Sequence, residues 1–337
     1  MKIHSWMPFL LLFLLFMLAC SISVPSNTPL QTRVAGEIFG TQTAAARLAQ
    51  QTTEAASTRA PTATFTPILT PTRPASLTPV NSGKIVFSNI GLWVINPDGS
   101  GLKLLSQSGS AIDDNPVWSP DSRTIAFTSS RLAKATYDIF LIDSSGSNVR
   151  PLTRKGKNAS NPNWSPDGKR LVYALDSKEI YIINADGSGD EMVFRSDRAA
   201  AICPIWTPDG KGVIFFYGNS VYRLNLETRK EEKFIDTPNL ACGFAWSPDY
   251  QTLAFHQVIP PSEMQIYTTT ADGKNLTQIT SGNGYNESPS WSPDGRRIVF
   301  GAKSPDVNEM RLFIMNADGS NITPLTTNYS VRPDWSR

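Results

Sequence analysis

The chain has 337 residues, 40% of them hydrophobic, and a formal net charge of only +2. That length suffices for one large domain or two ordinary ones, each with a packed core. Of the 31 Lys and Arg and the 29 Asp and Glu, five and two fall before Gly83, so the part from Gly83 onward is close to neutral at −1. No part has the concentrated basic footprint that phosphate neutralisation needs, which argues against nucleic acid as a partner.

At the amino end, Lys2 precedes an apolar run from Phe9 to Ala19 that stops at Cys20. About eleven residues are too few to span a bilayer and fit the apolar region of a signal peptide; a short transmembrane anchor is the competing reading. Met17-Leu18-Ala19-Cys20 resembles a bacterial lipobox, with Met17 where that motif prefers Leu. Residues 1–20 are therefore expected to be a signal peptide with a lipobox-like end. The resemblance implies lipidation at Cys20 and export across the bacterial cytoplasmic membrane, giving a cell-surface or periplasmic lipoprotein held to the membrane by its lipid.

Residues 21–82 are a different material. Thr, Pro and Ala dominate, as in Pro61-Thr62-Ala63-Thr64-Phe65-Thr66-Pro67. Such a segment has too little apolar surface to offset its ordering entropy and is expected to be a disordered stalk.

From Gly83 the chain repeats. Trp118-Ser119-Pro120-Asp121 recurs at Trp164, Trp206, Trp246 and Trp291, with a final Trp335-Ser336-Arg337; the spacings are 46, 42, 40, 45 and 44 residues. A period of that size signals a propeller or solenoid. Each unit has a Trp segment, a Ser/Thr-Pro-Asp turn, a β-branched and aromatic run such as Ile125-Ala126-Phe127, and a third run such as Ile139-Phe140-Leu141-Ile142. A second turn such as Asn316-Ala317-Asp318-Gly319 and a short segment near Pro-Leu-Thr complete it. Pro presets φ, Asp bonds the backbone and Gly accepts positive φ in such turns, and four short strands make one antiparallel blade. Residues 84–105 supply three strands without a Trp strand, and Pro333-Asp334-Trp335 is a Trp strand with nothing after it. Residues 83–337 are thus expected to be all-β: a six-bladed β-propeller of four-stranded antiparallel blades, its ring closed by N- and C-terminal strands.

These motifs resemble the WD-repeat-like family of TolB-like β-propellers. The resemblance covers residues 83–337 and implies fold far more than task, since one scaffold hosts many functions. The α/β domain that precedes the propeller in TolB has a stalk in its place here. Propellers that gate serine peptidases carry similar repeats, but no hydrolase domain is expected after Arg337.

Catalytic chemistry is sparse. His4 and His256 are the only histidines, and no G-x-S-x-G elbow occurs. His256 reads as a satisfied or solvent-facing strand-end residue, not a general base. The turn carboxylates Asp121, Asp167, Asp209, Asp249 and Asp294 are explained by turn chemistry, and their spacing is not that of a calcium loop. The repeated Trp reads as packing between blades. Neither metal nor cofactor is expected.

Both turns of each repeat fall on one face, and the variable connections emerge on the other, where binding loops on a rigid scaffold usually sit. Residues three or four places before each Trp should ring the channel there. The candidate binding residues are Asp114, Asn115, Asn161, Arg198, Tyr285, Glu287 and Arg332. Arg131, Lys134, Arg198, Lys303 and Arg332 beside Asp113, Asp114 and Glu287 read as unmatched charges on that face. Cys203 and Cys242 belong to the same ring; outside the cytoplasm such a pair can oxidise to a disulfide, and two small buried thiols are the alternative. The function expected is a monomeric protein-interaction or ligand-binding module, not an enzyme, with a protein or cell-wall glycan as partner. The alternative is a lyase or glycan hydrolase using the channel mouth, with Asp114 and Glu287 as its carboxylates.

Overall fold

A computed structural model describes residues 83–337, apart from 108, 134, 238, 240, 261–262, 283 and 304–308. The expected signal peptide over residues 1–20, Cys20, the expected stalk over 21–82 and Lys134 lie outside the described residues.

The described residues form six four-stranded antiparallel sheets. Blade 1 runs from its inner strand Asp113–Trp118 through Thr124–Ser129 and Asp138–Asp143 to the outer pair Arg150–Pro151. Blades 2 to 5 repeat the order from inner strands Ala159–Trp164, Ala201–Trp206, Ala241–Trp246 and Asn286–Trp291. Blade 6 joins both ends: Val331–Trp335 is its inner strand, paired to Ile85–Ser88, followed by Leu92–Ile95 and Lys103–Ser106. Lys84 and Ser336 lock the junction with backbone N–H···O bonds of 2.8 Å to the Ser336 hydroxyl and the Lys84 carbonyl. The sequence register at the two ends is the observed one.

The core lies between blades. Second strands are covered on both sides by neighbouring sheets, so they read as continuous apolar runs instead of alternating ones: Ile125, Ala126 and Phe127 are all fully buried. Between blades 3 and 4, Ile205 and Ile214 pack with Phe244, Leu253 and Phe255. The repeated Trp wedges into each seam. Trp164, Trp246 and Trp291 donate their indole N–H to carbonyls of Val117, Trp206 and Ala245 in the preceding blade, at 3.3, 3.0 and 3.1 Å. Arg170 of blade 2 sits 4.5 Å over the Trp206 ring of blade 3. Five of the six rings are almost entirely buried, so they act as mortar and not as a sugar platform.

The turns are self-sufficient. Ser119 Oγ donates to Asp121 at 2.6 Å and accepts the Thr124 N–H at 3.0 Å, while Asp121 accepts the Arg123 N–H. The same set recurs at Ser165–Asp167, Thr207–Asp209, Ser247–Asp249 and Ser292–Asp294. Hydrogen bonding by Ser119 and Ser165 holds Asp121 and Asp167 below the ordinary carboxylate range. The second turn docks on the neighbouring blade: Gly146 has φ 93°, and a Cβ there would lie 2.8 Å from the Leu105 carbonyl of blade 6. Glycine therefore serves both the turn conformation and the seam.

Candidate functional site

Each inner strand carries an irregularity in its pairing with the second strand, for instance between Asp114 and Val117 and between Glu287 and Ser290. The residue three places before each Trp is left-handed: Asn115 φ 50°, Asn161 52°, Cys203 55°, Gly243 62°, Ser288 52° and Arg332 52°. This is a β-bulge repeated around the ring, a device that re-aims side chains next to functional sites. Asn and Gly tolerate that conformation, whereas Cys, Ser and Arg carry a cost of roughly 1 kcal/mol each. The repeat of Asn, Asn and Gly at one position was a readable signal for the bulge that the hydrophobic pattern alone does not carry.

The bulges bring successive inner strands into side-chain contact at the channel mouth on the variable-loop face. Arg332 of blade 6 forms an ion pair with Asp114 of blade 1. Cys203 of blade 3 is bonded to Cys242 of blade 4, with the Cα atoms 5.6 Å apart. In both seams the residue three before Trp meets the residue four before Trp in the next blade. Asn161 Nδ2 also donates to Asn115 Oδ1, at 3.5 Å.

Seam 4/5 differs. The corresponding positions are Gly243 and Glu287. A Cβ on Gly243 would lie 2.7 Å from His256 Nδ1 and 3.0 Å from Ser288 Cα, so the position admits no side chain. Among the described residues, the Glu287 carboxylate has no hydrogen bond or ion pair. Burial pushes it up to about 7. Tyr329, on the loop entering the closing strand, is itself raised, by burial first and then by the nearby Glu287 charge.

Several expectations need correction here. Arg332 and Asp114 are not unmatched, because they pair with each other; burial lowers Arg332 to about 10, which leaves it charged at neutral pH. Arg131 and Asp113 are likewise paired, in a buried network that includes Ser106 and Ser129. Sequence could not show this, since the partners converge from two blades. His256 is not at a strand end. Its strand runs Thr252–Ile259, the ring is buried, and Nδ1 accepts the Ser288 N–H at 3.2 Å. Burial lowers it to about 4, so it is neutral. Arg198 is exposed on the loop between blades 2 and 3, and Tyr285, just before the inner strand of blade 5, carries Lys303 at 5.2 Å from its ring.

The other end of the channel is a cavity of about 110 Å³ walled by the six repeated Trp residues, with Asn163, Ser290 and Asp334 among its polar groups. Those groups are engaged in stitching. Asn163 accepts the Trp206 N–H, Ser290 accepts the Trp335 N–H, and Asp334 accepts the Trp118 N–H, each from the next blade.

The chain matches the family model described as the TolB beta propeller domain over residues 24–220 and 174–337. It belongs to the TolB β-propeller family. Among solved structures, TolB from Acinetobacter baumannii superposes with a TM-score of 0.63 at 24% identity, covering 76% of this chain and 67% of that one; this likeness shows the fold alone. Among curated relatives, the Bacillus subtilis protein named uncharacterized peptidase YuxL is 22% identical over 203 residues, which are 58% of this chain and 30% of the relative. The Tol-Pal system protein TolB of Anaeromyxobacter dehalogenans is 30% identical over 122 residues, 34% of this chain and 27% of the relative. The chain thus spans less than a third of the length of either relative.

Proposed function

We propose that this TolB-family propeller is a binding module displayed outside the cytoplasmic membrane, tethered through lipid on Cys20 and a stalk of residues 21–82, and that it engages a protein partner through its variable-loop face. The observation that carries the reading is the bulged ring. It fixes polar side chains on rigid inner strands at one channel mouth, where little ordering is lost on binding. Around that mouth lie Ile90, 73% exposed, and Tyr329, 49% exposed, together with exposed Leu132. The opposite mouth offers polar groups already committed to holding neighbouring blades. A relative named as a Tol-Pal system protein supports a role in an assembly. A cell-wall glycan is a second ligand class for the same mouth.

Binding is favoured over catalysis by the state of the carboxylates. A glycosidase-type site needs two free carboxyl groups facing one substrate. Here Arg332 holds Asp114, and the inner strand of blade 6 lies between Asp114 and Glu287.

Site-specific photo-crosslinking in intact cells tests the assignment. A crosslinker at Tyr329 should capture a defined protein, and one at Asp167 in a repeated turn should not. Capture from Asp167 alone would reverse the faces.

A further inference from the structure

Among the described residues, side chains of the bulged ring pair across three of its seams. Arg332 neutralises Asp114, Asn161 bonds Asn115, and Cys203 is joined to Cys242. Of the ring's charged side chains, Glu287 has no hydrogen bond or ion pair among the described residues; the position that precedes it across seam 4/5 is Gly243, where His256 and the Ser288 backbone exclude any side chain. The Glu287 side chain runs over Gly301 of the same blade, where a Cβ would lie 3.5 Å from Glu287 Cγ, and among the described residues no cation balances it. A carboxylate in partly desolvated surroundings gains most from a charge-assisted hydrogen bond with a cation.

Resting on the binding-module reading above, we propose that Glu287 is the recognition group for a cationic side chain, a lysine ammonium or arginine guanidinium of the protein partner, inserted beside Gly301 and Tyr329 on the variable-loop face of blade 5. Tyr329 stands close enough to feel the Glu287 charge, and an aromatic ring at the rim suits a cation entering past it. The neighbouring ion pair shows that the ring accommodates such a group, since Arg332 already occupies the equivalent place against Asp114 at seam 6/1.

The test uses the full chain in detergent and four probes: Nα-acetyl-lysine methylamide, the arginine and norleucine analogues, and spermidine. Binding is read from the backbone amide resonances of Glu287 and Ser288. The lysine and arginine probes should shift these resonances saturably, and norleucine should not. Glu287→Gln should weaken the cationic probes at least tenfold. Equal binding of norleucine, or unchanged affinity in Glu287→Gln, would overturn the proposal. Binding of spermidine without the lysine or arginine probes would overturn the assignment to a partner's side chain. The lysine-against-norleucine comparison needs only the wild-type chain, so it stands even if a variant fails to fold. Loss of the Tyr329 crosslink with probe binding intact would sink the protein-partner reading and leave the cation site; the reverse result would sink the cation site alone.

Discussion

The Asp334 carboxylate accepts the backbone N–H of Trp118 at 2.7 Å, 216 residues away in sequence, and its second oxygen accepts the Ser290 hydroxyl at 2.9 Å. One side chain therefore ties the inner strands of blades 5, 6 and 1 at the point where the ring closes. Asp334→Ala leaves the Trp118 N–H without its acceptor and should cost about 1–3 kcal/mol. Chemical denaturation should show a lower midpoint with the slope unchanged.

Deleting residues 331–337 removes the inner strand of blade 6 and uncovers Ile85 and Phe87, which the closing strand buries. The expected result is loss of a cooperative transition, or aggregation through the uncovered edge. Calorimetry decides it: an unchanged melting transition would contradict the closure register.

The disulfide closes a sequence separation of 39 residues, for which constraint of the unfolded chain contributes about 2–4 kcal/mol. Protein isolated from its native envelope should yield a Cys203–Cys242 peptide under non-reducing mass spectrometry. Reduction should lower the melting temperature, and two free thiols in the isolated protein would reject the bridge.

Stability should depend on pH with two opposed contributions. Glu287 is raised from 4.5 to about 7. The folded state then holds its proton more tightly than the unfolded chain, so its contribution is full below 4.5 and is lost as pH rises to 7. His256 is lowered from 6.5 to about 4, so its contribution is present above 6.5 and is lost as pH falls to 4. Glu287→Gln should therefore stabilise more at pH 8 than at pH 5, by about 1 kcal/mol once solvent screening is allowed for. Melting curves between pH 4 and 8 supply the check. A Glu287→Gln effect independent of pH would mean that Glu287 titrates normally; the nearby ionisable groups in such a profile are Tyr329, Arg332 and His256.

Cys20→Ser should abolish lipidation and release or mislocalise the protein. Several acyl chains anchor stably where a single chain does not. Fractionation of cells with detection of the acylated amino-terminal peptide measures this, and normal membrane retention of the serine variant would remove the anchor from the account.

The fold was legible because its information is local and repeated. Trp-Ser-Pro-Asp fixes a turn and a seam wedge at each recurrence, and the unpaired ends at Ile85 and Trp335 reveal the sixth blade. The candidate site was legible only in outline. Counting back from each Trp places Asp114, Glu287 and Arg332 on the ring, but not who meets whom. The bulge offsets neighbouring strands, so Arg332 reaches Asp114 and Cys203 reaches Cys242 across seams that no spacing rule marks. Arg131 and Asp113 were misread for the same reason: their shared partner Ser106 comes from blade 6, near the start of the described residues.

The shared sixth blade also sets an order of events. Of the described strands, Ile85–Ser88 is the first in chain order and Val331–Trp335, which covers it, is the last. Until that strand arrives the nascent chain carries an open apolar margin, the kind of transient surface that draws aggregation. Closure of the ring then becomes a single late event, timed by the arrival of residues 331–337.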